Sequence, residues 1–135
     1  KKLFVETNNG TNRQIRPVTP EQPLRIGDKV IVRLTIRTDR EMHYVFLKDL
    51  RAGCFEPADQ LSGPESRDGI WYYRSPKDVS ENFFINRLPE GTFVLEYPVY
   101  VSRSGEYAGG ISTIQCMYAP EFVSHTAGES LRIMP

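Results

Sequence analysis

Hydrophobic and polar positions alternate along most of the chain. Val30 to Ile36 reads Val-Ile-Val-Arg-Leu-Thr-Ile, which puts Val30, Val32, Leu34 and Ile36 on one face. A period of two with many β-branched residues predicts a half-buried strand. Thr92 to Val101 repeats the pattern, with Phe93, Leu95, Tyr97, Val99 and Val101 in line. Further strands are expected at Leu3–Glu6, His43–Leu47, Ile70–Arg74, Phe83–Ile85, Tyr107–Tyr118 and Leu131–Met134. Gly27-Asp28, Asp68-Gly69, Leu88-Pro89-Glu90-Gly91 and Arg103-Ser104-Gly105-Glu106 supply the turns between them. The last of these turns predicts a hairpin of 92–101 with 107–118. Pro98 has no N–H to give, so its strand should be an edge or bulged there. Residues 8–23 are polar and read as a loop. No window supports a helix, because ten prolines and ten glycines interrupt every candidate. The expected architecture is an all-β antiparallel β-sandwich, one domain spanning 1–135.

Composition narrows the function. The 135 residues carry 17 basic and 17 acidic side chains, a formal net charge of zero. This balance argues against a nucleic-acid partner and against an electrostatic hold on an anionic membrane. No apolar run is long enough to span a bilayer, so membrane insertion of this domain is not expected. The chain opens Lys1-Lys2-Leu3-Phe4, with neither an initiator Met nor a signal peptide. It reads as a fragment of a longer protein.

Catalytic chemistry is hard to find. His43 falls in an expected strand and His125 in the polar run Ser124-His125-Thr126. Neither accompanies a nucleophile motif. Gly109-Gly110 stands alone and is not a phosphate loop, and Glu56 with Asp59 reads as a solvated carboxylate pair. No enzymatic role, cofactor or metal is expected. Cys54 and Cys116 lack CxxC spacing, which leaves a disulfide or two buried thiols. In Trp71-Tyr72-Tyr73, alternation puts Trp71 and Tyr73 on one face and Tyr72 on the other. Packing is the favoured reading of this cluster. A sugar-stacking platform is the competing one, and with it a stand-alone carbohydrate- or peptide-binding module.

An ordered set of segments covers nearly the whole chain. It runs through Lys1–Val5, Leu24-Arg25-Ile26-Gly27-Asp28-Lys29-Val30, Cys54-Phe55-Glu56-Pro57, Leu88-Pro89-Glu90-Gly91-Thr92 and Gly105-Glu106-Tyr107. It ends on Gln115-Cys116-Met117-Tyr118-Ala119-Pro120-Glu121-Phe122. Together these segments resemble the last macroglobulin-like domain of bacterial alpha-2-macroglobulins, the counterpart of the receptor-binding domain. The resemblance implies a large periplasmic or cell-surface parent, lipid-anchored, that traps target proteases and couples them to a thioester. The domain would be a structural and interaction module packed on the thioester domain and on neighbouring macroglobulin domains. Cys54-Phe55-Glu56-Pro57 lacks the Gln of a thioester motif, so the covalent chemistry would lie elsewhere in the parent. The implied compartment favours a Cys54–Cys116 bridge. The segment Met117 to His125, read as a loop, is the expected interdomain contact. Its contact residues would be Met117, Tyr118, Pro120, Glu121, Phe122 and His125. A flexible Met with large aromatics there would keep water from a hydrolysable bond.

Overall fold

The computed structural model describes residues 1–9, 12–18, 23–58, 63–67, 70–77, 80–117, 119–126 and 130–134. For residues 8, 9, 12, 13, 63–67, 108, 119–123, 125, 130 and 132 it describes the backbone alone. The strands are β1 (Lys2–Asn9), β2 (Asn12–Pro17), β3 (Leu24–Arg25), β4 (Lys29–Thr38), β5 (Met42–Leu50), β6 (Phe55–Pro57) and β7 (Gly63–Arg67). They continue as β8 (Ile70–Pro76), β9 (Ser80–Leu88), β10 (Gly91–Val101), β11 (Gly105–Ala108), β12 (Ser112–Cys116), β13 (Ala119–His125) and β14 (Ser130–Met134). Among the described residues there is no helix.

Two sheets form the sandwich. The first has the order β2-β1-β4-β10-β6 and the second β13-β12-β5-β9-β8-β7; β11, β14 and β3 make a small third sheet. The alternation in β4 and β10 explains how the two large sheets meet. Val30, Val32, Leu34, Leu95, Tyr97 and Val99 turn inward from the first sheet, each at most 3% exposed. Val45, Leu47, Ile70, Phe83 and Ile85 face them from the second and are equally buried. Phe93 packs against this core while partly exposed. Phe83 bridges the layers, with its ring 6.2 Å from that of Tyr97 and 5.7 Å edge-on from that of Tyr72. Each such side chain taken from water contributes about 1.5–3 kcal/mol.

Several expectations change. β10 does not pair with the segment after it; it lies between β4 and β6, with Leu95 opposite Leu34. Residues 107–118 divide instead, β11 joining β14 and β12 joining β5. The reason is that the chain switches sheet at its short turns. β4 passes to β5, and β9 to β10, from one layer to the other. The polar stretch read as a loop contains β2, which pairs with β1 from Phe4↔Pro17 to Asn9↔Asn12. Its edge position lets polar residues face water while the backbone pairs. Pro98 lies at neither an edge nor a bulge: β10 runs between β4 and β6 with unbroken register at Pro98↔Ile31, and its carbonyl accepts from the Ala58 N–H just past the last β6 pair, so its missing N–H costs no ladder bond to β4. Gly110, at φ 73°, cannot be replaced freely, because a Cβ there would collide with the Leu50 carbonyl oxygen.

The two cysteines are free and buried, so the expected bridge is absent. Cys54 lies just before β6 in the first sheet, where its carbonyl accepts from Ser102 N–H near the Val101 end. Cys116 lies in the second sheet opposite Val45, near the other end of the sandwich. The two are thus set against different sheets.

Candidate functional site

The segment expected to make the interdomain contact begins where β12 ends. Met117 is 58% exposed, and its backbone N–H donates to the Tyr44 carbonyl at 2.9 Å. Beside it the buried Cys116 thiol donates to the His43 carbonyl at 3.2 Å. Tyr118 lies outside the described residues. Residues 119–125 are not a loop but the strand β13, which closes back on β12. The register runs Thr113↔His125, Ile114↔Ser124 and Gln115↔Val123, then jumps to Cys116↔Ala119. Pro120, Glu121 and Phe122 fall in that jump, opposite no residue of β12. The apolar and β-branched content of the segment suits an edge strand. Pro120, lacking an N–H, suits the irregularity. The side chains of Pro120, Glu121, Phe122 and His125 lie outside the described residues.

Sequence reasoning missed Tyr44. It is half-exposed and takes a left-handed backbone, with φ 57°. A non-glycine residue there costs about 1–2 kcal/mol and is held by its surroundings. Here the holding contact is the hydrogen bond from Met117. Around it, His43 is exposed with Nε2 3.9 Å from Glu41, and Arg87 pairs with Glu41. The Arg87 guanidinium holds the Glu41 carboxyl below its ordinary value.

Met117 and Tyr44 occupy the corner of a wider outer face. Tyr73, Phe84 and Phe46 stand opposite one another across β8, β9 and β5, with Gln115 of β12 next in the row. The Phe46 and Phe84 rings stack at 4.8 Å. Tyr73 is 47% exposed and Trp71, two residues along β8, is 71% exposed. Packing therefore accounts for Tyr72, which is buried, but not for Trp71 and Tyr73 as the sequence reading favoured. A contiguous exposed apolar surface of this kind marks a place of contact.

The buried polar groups lie at the opposite end of β5 and serve the fold. Asp49 receives Lys1 Nζ at 2.8 Å, the Ser112 hydroxyl at 2.6 Å and the Tyr97 hydroxyl. Its cross-strand partner Glu81 receives Arg51 at 2.7 Å and Arg74 at 2.5 Å. Burial, then Asp49, pushes the Tyr97 hydroxyl well above its ordinary value. Both carboxylates are inaccessible to solvent, so neither can meet a substrate. Glu56 is exposed and Asp59 lies outside the described residues. Among the described residues no group of three His, Cys, Asp or Glu side chains could hold a metal ion.

The family described as "Bacterial Alpha-2-macroglobulin MG10 domain" matches residues 1–121. Two crystal structures of Salmonella alpha-2-macroglobulin, one of a point mutant and one reacted with methylamine, superpose with a TM-score of 0.73. Each is 20% identical over 99% of this chain and 9% of its own. Native Escherichia coli alpha-2-macroglobulin, spanning domain MG7 to the C-terminus, gives 0.68 at 17% identity, over 83% of this chain and 20% of its own. Circularly permutated Ras protein 2 of Dictyostelium discoideum is 28% identical over 109 residues, 81% of this chain and 3% of that protein. The chain thus spans a small part of every relative named.

Proposed function

The chain belongs to the bacterial alpha-2-macroglobulin MG10 domain family, and from there we propose that it is a non-catalytic structural and interaction domain of a protease-trapping inhibitor, packed on the thioester domain and shielding it. One observation carries this reading: Met117 projects at the corner of the exposed face formed by Trp71, Tyr73, Phe84, Phe46 and Tyr44. An apolar face with a flexible thioether at its rim suits a neighbouring domain that must stay dry. The same reading puts the parent protein in the periplasm or at the cell surface on a lipid anchor, where it meets its target proteases.

The test uses the full-length parent, if it carries a thioester. Met117→Ala and Tyr118→Ala should each speed attack by methylamine or water in the uncleaved state, with the domain still folded. Unchanged thioester lifetimes in both variants reject shielding. A large loss of domain stability instead assigns these side chains to closing the end of the sandwich. The exposed Trp71–Tyr73 pair also favours a second reading, a carbohydrate- or peptide-binding face. Specific glycan binding on an array, lost in Trp71→Ala, would establish it over the first.

A further inference from the structure

β4 has an edge that is only half covered. Its partner β1 pairs with it from Glu6↔Lys29 to Lys2↔Arg33 and there reaches the first residue of the chain. β10 continues on the other side as far as Gly91↔Thr38. Among the described residues, then, Leu34 to Thr38 has a strand on one side only. The direction of the free groups follows from alternation along the strands. Leu3 gives its carbonyl to Val18 on the β2 side, so Lys2 and Phe4 face β4 and meet Arg33 and Ile31. Thr35 and Arg37 share that orientation, and their N–H and C=O groups point past Lys1 into the open side.

Beneath this edge is a cleft of about 520 Å³ between the two sheets. Leu34, Ile36, Met42, Leu88, Ile114 and Cys116 line it, and Lys1 stands at its mouth. Lys1 is itself firmly aimed. Its side chain is 10% exposed, and its ammonium is held by Asp49 and by the Leu50 and Gly109 carbonyls at 3.1 and 3.2 Å. The β1–β4 register, extended by one residue, sets Lys1 opposite Leu34 and leads the line of β1 toward Thr35–Thr38.

We propose that the polypeptide immediately preceding Lys1 in the full-length protein continues β1 along this edge and places an apolar side chain in the cleft. The relatives, of which this chain spans 9% and 20%, have the further polypeptide that such a segment needs. The register is fixed by the existing pairs. The first residue before Lys1 meets Thr35, the second Ile36, the third Arg37 and the fourth Thr38. Ile36 faces inward, so the second of these residues carries the apolar side chain and the fourth shares its face. The edge is thereby a β-augmentation site completed in cis: main-chain hydrogen bonds hold the segment and the cleft selects its alternate side chains.

Two measurements on the full-length protein test this. In hydrogen exchange, the Thr35 and Arg37 amides should exchange within about tenfold of the β1-paired Ile31 and Arg33 amides. Exchange at the rate of an unpaired edge overturns the proposal. Arg37→Cys, combined with cysteine at the third residue before Lys1, should form a disulfide on mild oxidation. Residues in such a hydrogen-bonded pair lie about 5.5 Å apart, within bridging range. Protected amides without the cross-link would mean that another strand occupies the edge, which also overturns the proposal.

Discussion

At its Leu50 end β5 carries Asp49 among Lys1, Ser112, Tyr97 and the Arg51–Glu81–Arg74 group, all buried or nearly so. At its Met42 end it carries His43 and Tyr44, both exposed, next to Met117. One strand thus joins a closed ionic cluster to an open apolar corner. The cluster is not there to add net stability. Moving its ions out of water costs several kcal/mol each, and their attraction roughly repays that. Arg51 even keeps Nε and Nη2 without a hydrogen-bond partner among the described residues. What the cluster gains is position. Three cations, two carboxylates and two hydroxyls fit together in one arrangement, fixing β1, β5, β8, β9, β10 and β12 against one another. The corner is the reverse, because its backbone is strained at Tyr44 and the Tyr44 and Met117 side chains are half or more exposed and gain little from burial.

Removing one member of the cluster should have the largest effect. Glu81→Ala leaves Arg51 and Arg74 buried without their carboxylate and should destabilise the fold by about 3–5 kcal/mol in chemical denaturation. A loss below 1 kcal/mol would mean that the cluster is not tightly set. A smaller effect comes from Tyr97. Its folded-state hydroxyl titrates above the unfolded value of about 10, so its contribution is complete below that pH and lost as pH rises through the folded value. Stability measured from pH 9 to 11 should therefore fall less steeply in Tyr97→Phe than in the parent sequence. Equal slopes would exclude Tyr97 as the titrating group. The smallest effect belongs to the corner. Tyr44→Gly removes the left-handed strain and should change stability by no more than about 1 kcal/mol, in the stabilising direction. A loss of 2 kcal/mol or more in the same denaturation would place Tyr44 with the fold and not with the contact.

Much of this contrast could be read from the chain, and the limits have physical causes. The inward faces of β4 and β10 were legible because their apolar residues recur every second position. The partner of β10 was not, since a turn signal at Arg103–Glu106 reports local bending and says nothing about a chain that changes layers. Alternation also grouped Trp71 with Tyr73, yet it cannot tell which face is inside; burial of Tyr72 decides that. Two cysteines in one sequence carry no distance, and here they lie in different sheets. Tyr44 gave no signal at all, because its backbone is set by the Met117 N–H more than seventy residues later in the chain. Met117, expected at an interdomain contact, is exposed, though the strand β13 takes most of the segment in which a loop was expected.

The switching of layers between β4 and β5, and again between β9 and β10, bears on how the molecule is made. β4 and β5 emerge early in synthesis, but Val30 must wait for Val99 and Val45 for Ile85 and Cys116. Loops of that length close slowly, since their entropy is spent before any contact repays it. Folding in milliseconds to seconds is the expectation for such a topology. Throughout that interval the Val-Ile-Val-Arg-Leu-Thr-Ile run of β4 lacks β10 on one side and is rich in β-branched residues, the kind of segment that associates with its own copies. Arg33, Thr35, Arg37 and the charged Asp39-Arg40-Glu41 turn that follows are spaced along it as interruptions. Their service is to the newborn chain, which they keep soluble until its second half arrives.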